Sequence, residues 1–290
     1  MLETDTKKWS GILVYLECYN GKLHPSSEEL IGEAVRLAET SGDAIYATGI
    51  GQKMEQIQEM LEGYPVKKVY LYEAKDEYES SLYTEIMTQC IETIKPAIVL
   101  VGGTYEGRSL APGLAVRFRT GLTADCTRLT INEEGNLVQS RPAFGGNIMA
   151  DIVTQFTRPQ FATVRPGVMQ KAEKDHRIVT EYITEKIEKT RKEIEVISSK
   201  AEAVEKGIAD EKILVVAGRG VKKKEDLDML RELAELLGGT LASSRALVEK
   251  GWMLAEKNRS VAFGEYGKSG LYDYMRGLRN GTVYGRNETY

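Results

Sequence analysis

Short apolar runs alternate with amphipathic segments through the first 119 residues of the chain. The runs are continuous, as is typical of strands buried on both faces of a parallel sheet, and the segments between them have helical spacing. The predicted strands are residues 11–16, 43–48, 68–72 and 97–101, and the predicted helices are residues 27–38, 54–61, 82–94 and 108–119. We expect Ser26 or Ser27 to cap the first helix and Pro112 to interrupt the last one.

After residue 121 the pattern changes to short alternating runs separated by turn residues. Residues 129–131, 137–141 and 151–157 are predicted strands, and together they indicate a β-rich extension of the parallel sheet. The sequence therefore predicts an N-terminal α/β domain, Rossmann-like in its strand–helix alternation, over residues 1–170.

Residues 171–211 consist largely of lysine and glutamate, which favours a solvated linker with room for one strand at 194–197. A second α/β unit follows. Its predicted strand at 212–217, helix at 225–237 and strand at 240–242 indicate the start of a doubly wound domain over residues 212–257. The helix is expected to turn an apolar face inward, formed by Leu227, Leu230, Leu233, Ala234 and Leu237.

Composition narrows the possible functions. A net charge of −4 and a pI near 5.6 argue against a nucleic-acid-binding protein. No apolar run is long enough to insert into a membrane, and the N-terminus has no features of a secretory signal, so we expect a cytoplasmic protein. The three cysteines are scattered, as in a reducing compartment, and the two histidines are too far apart in sequence to suggest a metal site.

The candidate ligand-binding residues follow the strands of the second unit. Gly218, Arg219 and Gly220 come directly after the first strand, where glycines allow close approach of a phosphate and a following helix can offer free N–H groups. Ser244 and Arg245 follow the next strand, at the edge where open α/β sheets bind ligands. Such a turn is more often purely structural, and this alternative stays open from the residues alone.

Two other motifs favour a structural interpretation. The pairs Gly103-Thr104 and Gly107-Arg108 could contact a nucleotide, but we expect Gly107-Arg108 to turn the chain into a helix. Asp125 and Cys126 would suggest chemistry only with a histidine nearby, and the sequence offers none. We therefore expect no catalytic nucleophile, no general base and no metal site.

Three blocks of sequence resemble the alpha subunit of electron transfer flavoproteins. The first runs from Pro96 through the segment VGGTYEGR to Cys126; the second comprises residues 141–150 and 158–167; the third combines residues 218–220, 244–246 and Gly251-Trp252. The resemblance covers residues 10–257. It implies an N-terminal α/β domain that docks a partner and a C-terminal doubly wound domain that binds FAD.

The resemblance also implies a role. The family carries electrons on FAD between a dehydrogenase and a downstream acceptor, as a heterodimer with a beta subunit. The expected partners are that subunit and an acyl-CoA dehydrogenase-type or other redox protein. Gly218, Arg219, Gly220, Ser244 and Arg245 would bind FAD, and a nearby arginine would stabilise the anionic reduced flavin by Coulomb attraction. Such a protein is an electron carrier rather than a substrate-converting enzyme.

The last segment, residues 258–290, does not resemble this family in the given reading frame. Shifted forward by one base, the codons of Met275 and Arg276 yield cysteine, and the following codons can encode GVSGTVQFMAGMK, which resembles the family's flavin-binding block. We infer a frameshift near Lys257, which would leave the FAD domain incomplete and its tail out of frame. Two alternatives stay open: a genuinely divergent C-terminus, and a truncated partner-binding module that no longer holds FAD.

Overall fold

The computed structural model describes residues 5–74, 78–144, 148–188, 213–253 and 282–285. The chain divides into two compact units, Met1–Ile197 and Ser198–Tyr290. Over the described ranges, no helix has both the length and the apolar character that a bilayer crossing requires.

The first unit is built around an eight-stranded sheet. Seven of its strands are parallel to their neighbours: β1 (Ile12–Tyr19), β3 (Ile45–Gly51), β4 (Lys68–Glu73), β5 (Ile98–Gly102), β6 (Leu122–Cys126), β10 (Gln160–Val164) and β11 (Glu181–Lys186). Their order across the sheet is β11-β4-β3-β1-β5-β10-β6. The short strand β2 (Lys22–Leu23) pairs antiparallel with β1. The predicted parallel α/β architecture is confirmed.

Helices cover both faces of this sheet, which explains its continuous apolar strands. They are α1 (Pro25–Ser41), α2 (Met54–Leu61), α3 (Ser80–Ile94) and α4 (Tyr105–Arg117), and a short 3-10 turn, Thr6–Lys8, precedes β1. Along β1 the side chains alternate between two cores: Val14 packs on the side of α1 and α2, and Tyr15 packs on the side of α3 and α4.

The cap of α1 and the course of α4 differ from the prediction. His24, rather than Ser26 or Ser27, caps α1, because its Nδ1 accepts a hydrogen bond from the backbone N–H of Ser26 at 3.2 Å. Helix α4 continues through Pro112 without interruption. Pro112 is exposed, so water can solvate the backbone carbonyl of Arg108, which has lost its usual N–H partner.

The β-rich region is a sheet of its own. Strands β7 (Arg128–Ile131), β8 (Leu137–Ala143) and β9 (Ile148–Val153) form an antiparallel three-stranded sheet in the order β7-β8-β9. The strands that do extend the parallel sheet here are β6 and β10, which the sequence pattern did not predict. Part of the predicted linker is also in the main sheet, because β11 pairs with β4 at the sheet edge. The predicted strand at 194–197 lies outside the described residues.

The second unit contains β12 (Ile213–Ala217), α5 (Asp226–Leu236), β13 (Thr240–Ser243), α6 (Arg245–Glu249) and β14 (Thr282–Gly285). Strand β12 pairs parallel with β13 and antiparallel with β14. Its apolar core includes Val215, Leu227, Ala234 and Leu247. The inward face predicted for α5 is wrong at Leu237, which is 40% exposed because the helix ends one residue earlier. Apart from β14, residues 258–290 lie outside the described part of the chain.

Candidate functional site

A tight turn follows the first strand of the second unit. Residues 218–221 form a β-turn closed by a 3.1 Å hydrogen bond from the N–H of Val221 to the carbonyl of Gly218. Arg219 lies at the corner of this turn and is exposed, whereas Gly218 and Gly220 are half-buried. The turn thus presents a guanidinium group to solvent at the carboxyl end of β12.

Parallel pairing brings the end of β13 next to this turn. Ser243 is in register with Ala217, and the N–H of Ser244 donates to the carbonyl of Ala217 at 2.9 Å. Among the described residues, neither the Oγ of Ser243 nor that of Ser244 has a hydrogen-bond partner, although both atoms are buried. Ser244 is the N-cap residue of α6 by position, yet its side chain makes no capping hydrogen bond.

The structure therefore brings four of the five predicted site residues together at one sheet edge: Gly218, Arg219, Gly220 and Ser244. Arg245 is the first residue of α6, and its side chain lies outside what the structure describes. Ser243 was missed by sequence reasoning. Its only signal was its position directly before Ser244 at the end of an apolar strand.

The expectation that the helix after the glycine turn offers free N–H groups is wrong. The N–H groups of Asp226, Leu227 and Asp228 donate to the carbonyls of residues 223, 224 and 225, so α5 begins with its donors already paired. Its first turn also carries Asp226 and Asp228, whose carboxylates complement the positive end of the helix dipole. An anion at this site must therefore rely on side chains and on the turn itself.

The sheet of the first unit has a comparable crevice beyond β1 and β5, where the strand order reverses. Thr104 caps α4 there, because its Oγ1 accepts from the N–H of Gly107 at 3.1 Å. Gly107 is inside the first turn of α4 rather than leading into it. The Thr104 hydroxyl also donates to the carboxylate of Glu17, and the Tyr15 hydroxyl donates to the carboxylate of Glu106.

Two carboxyl groups thus occupy the place where a nucleotide phosphate would bind in a doubly wound sheet. Tyr15, Glu17 and Tyr83 face Glu106 and supply no positive charge. Burial raises the pKa of Glu106 to about 7, while the hydrogen bond from Tyr15 opposes the rise and Glu17 adds to it. The negative charge argues against phosphate binding here and favours the structural interpretation of Gly103-Thr104 and Gly107-Arg108.

The raised pKa of Glu106 predicts a pH-dependent stability. In the folded chain Glu106 keeps its proton up to pH about 7, whereas the unfolded carboxyl loses it near its ordinary pKa of 4.5. Its contribution to stability is therefore fully present below pH 4.5 and is lost as pH rises to 7, a decrease of about 2 kcal/mol after allowing for partial solvation.

Urea unfolding at a series of pH values from 4.5 to 8 measures this effect. Glu106→Gln keeps an acceptor for Tyr15 but cannot ionise, so the decrease across this window should be smaller by about 2 kcal/mol than in the wild type. Glu92→Gln, at an exposed position of α3, is the control and should retain the wild-type profile. An unchanged profile in Glu106→Gln would show that another group titrates.

Asp125 and Cys126 have structural partners. The guanidinium of Arg165 makes two hydrogen bonds to the carboxylate of Asp125, at 3.0 and 2.7 Å. Cys126 is buried, and this burial raises the pKa of its thiol to about 12, so it is not a ready nucleophile. All three cysteines are free and buried, as expected for a chain without a disulfide framework.

Comparison with known proteins gives matches over both units. Residues 12–201 match the family model described as the electron transfer flavoprotein domain, and residues 207–265 match that of the electron transfer flavoprotein FAD-binding domain. The second match contains the glycine turn and both serines. It also continues past Lys257, so the expected end of the resemblance at that residue is too early.

Individual relatives support the same assignment. Subunit LctC of the lactate dehydrogenase (NAD(+),ferredoxin) of Acetobacterium woodii is 42% identical over 86% of this chain, which spans 60% of that relative. Protein FixB of Clostridium saccharobutylicum is 40% identical over 94% of the chain and 85% of its own length. The electron transfer flavoprotein subunit alpha of Clostridium acetobutylicum is 39% identical over 90% and 79%, respectively. The FixB alignment necessarily enters residues 258–290.

Proposed function

Because this chain belongs to the electron transfer flavoprotein family, we propose that it is an alpha subunit that carries electrons on FAD. In this role it forms a heterodimer with a beta subunit and passes electrons from a dehydrogenase to a downstream acceptor. The observation that carries the proposal is the FAD-binding match over residues 207–265, which contains the turn after β12 and, at the end of β13, two buried hydroxyls without a partner among the described residues.

The residues at this edge fit FAD. Buried hydroxyls without partners are rare, and the two serines offer hydrogen bonds that the described fold does not use. Arg219 adds an exposed cation on the same edge, suited to a pyrophosphate or to an anionic flavin. FAD, when bound, supplies reversible redox chemistry, and the protein contributes binding, orientation and charge.

Each group has a distinct task in this proposal. Gly218 and Gly220 keep the turn narrow enough for a ligand to approach the backbone. Arg219 neutralises negative charge, and Ser244 donates from the end of β13. Arg245 is proposed as a second cation at this edge from the family resemblance. The structural alternative for the turn predicts instead that replacing any of these residues leaves FAD affinity unchanged.

The second proposed feature is a docking surface for the beta subunit in the first unit. We define the hairpin face as the exposed apolar residues on and beside the edge strand β9: Ile148 and Ile152 on one side of the strand, Met149 on the other, and Phe144 just before it. Phe144 is 81% exposed, Ile148 55% and Met149 50%. Exposed apolar side chains on both sides of an edge strand are typical of a surface that another protein covers.

Met149→Asp is expected to weaken binding of the beta subunit at least about tenfold, because association would bury a new carboxylate. The folded state should be little affected, since Met149 is half exposed. The dissociation constant can be measured by titrating labelled beta subunit into each variant. Val116→Asp on α4 is the control, since Val116 is 77% exposed outside this face. Equal affinities for both variants would mean that the beta subunit docks elsewhere.

The flavin content of the co-purified heterodimer tests the proposal directly. The expected result is about one FAD for each heterodimer, bleached by addition of a reduced dehydrogenase. We propose an acyl-CoA dehydrogenase-type or other redox protein as donor; the similarity to a lactate dehydrogenase subunit makes a lactate-oxidising donor worth including in the assay. A heterodimer that forms without flavin would instead support the truncated partner-binding module.

Residues 258–290 determine whether the FAD domain is complete. A nucleotide read across residues 256–260 tests the proposed frameshift. If the read shows the shifted frame, the family's flavin-binding block returns. If the frame is unchanged, a divergent C-terminus is the alternative, and the FAD-binding match to residue 265 supports it.

We propose a cytoplasmic location, because three buried free thiols suit a reducing compartment.

A further inference from the structure

Ser243 is the last residue of β13, and it is completely buried. Its Oγ has no hydrogen-bond partner in the part of the chain that the structure describes. A buried hydroxyl without a partner destabilises a fold, because it loses its hydrogen bonds to water without replacement. Ser243 therefore has a polar group that the described part of this unit does not use.

Size alone does not explain a serine at this position. Its in-register neighbour on β12 is Ala217, and the residue before it is Ala242, both fully buried. Alanine thus fits the space available on either side of this position. What serine adds is a donor and acceptor of hydrogen bonds, so its presence points to a partner outside the described residues.

The position of Ser243 identifies that partner. Pairing with Ala217 places Ser243 beside the turn of residues 218–221, at the carboxyl edge of two parallel strands. This edge is where open α/β sheets bind their ligands, and the hydroxyl of the neighbouring Ser244 also has no partner among the described residues. Along a strand, side chains alternate between faces, so Ser243 shares the face of Leu241, on the side of α5.

We propose that Ser243 is a further FAD-binding residue, whose hydroxyl hydrogen-bonds an oxygen of the ribityl–pyrophosphate chain. This inference rests on the proposed function. It adds a hydroxyl to the set formed by Arg219, Ser244 and Arg245. It also explains why two consecutive serines end β13 with both hydroxyls left without partners by the described fold.

The test uses the full chain co-purified with its beta subunit, stripped of flavin and titrated with FAD by fluorescence. Ser243→Ala should raise the dissociation constant for FAD about tenfold. The melting temperature of the flavin-free variant should be unchanged or higher, because the substitution removes a buried hydroxyl without a partner. Thr240→Val removes a hydroxyl from the opposite end of β13 and should leave FAD affinity unchanged.

The outcomes separate this inference from the proposed function. A wild type that binds FAD and a Ser243→Ala variant that binds it equally well would overturn the role of Ser243 alone. A lower melting temperature of the flavin-free variant would also overturn it, since the hydroxyl would then have a structural partner. A wild-type heterodimer that takes up no FAD would overturn both.

Discussion

Replacing Gly107 by alanine is expected to lower the free energy of unfolding by at least about 3 kcal/mol. Helix α4 contacts strand β5 at this glycine, and the two elements cannot move apart freely to make room for a methyl group. A Cβ atom at this position would lie 1.9 Å from the backbone oxygen of Gly102, at the end of β5, and 2.9 Å from a side-chain carbon of Val101. Alanine favours a helix over glycine by only about 1 kcal/mol, which is too little to offset a clash with backbone.

Gly113→Ala, in the same helix, is the matched control. Its Cβ would meet only the side chain of Thr84, at 3.2 Å, and this side chain can adjust. We expect Gly113→Ala to change the free energy of unfolding by less than about 1 kcal/mol. Urea unfolding followed by circular dichroism measures both variants. Equal stabilities would mean that α4 can move away from β5 without cost.

Replacing Arg219 by methionine is expected to weaken FAD binding by about 10- to 100-fold, the usual effect of losing a hydrogen-bonded charge. Methionine retains much of the length of the side chain and removes its guanidinium. Because Arg219 is exposed at the corner of its turn, the flavin-free protein should melt at the same temperature as the wild type. Titration of FAD into the flavin-free heterodimer measures the affinity.

Arg231→Met is the control for charge alone. Arg231 is on α5, where it pairs with Asp228, and the substitution changes the net charge of the chain by the same amount. Affinity for FAD should stay within about twofold of the wild type, since Coulomb forces between exposed charges are largely screened beyond about 10 Å. If Arg219→Met behaves like Arg231→Met, the turn after β12 is structural and FAD binds elsewhere.

The two sheet edges of this chain illustrate how similar folds acquire different chemistry. Beyond β1 and β5, the carboxyl groups of Glu17 and Glu106 occupy the crevice and accept hydrogen bonds from Thr104 and Tyr15. Beyond β12 and β13, the polar groups are an exposed arginine and two serine hydroxyls that no other described residue pairs with. The first edge satisfies its own polar groups, and the second has capacity for a ligand.

The sequence by itself determined the parallel core of the first unit. The runs at 11–16, 68–72 and 97–101 are continuous and apolar because both faces of each strand are buried, and this pattern requires no knowledge of neighbours. The sequence also predicted ligand-binding residues in the second unit, because a glycine–arginine turn and a serine–arginine pair each follow an apolar strand. Family membership followed from the same blocks.

The tertiary structure determined the features that depend on contacts between residues far apart in the sequence. Strand β10 lies between β5 and β6, although more than 30 residues separate it from either along the chain, and its local pattern did not predict this position. The course of α4 through Pro112 depends on which side of the helix faces water. Whether a backbone N–H of α5 or the hydroxyl of Ser243 has a hydrogen-bond partner depends on the fold: the former are paired, and the latter has no partner within the described ranges. Local sequence specifies a residue's chemistry, but only the folded chain determines which hydrogen bonds are already used.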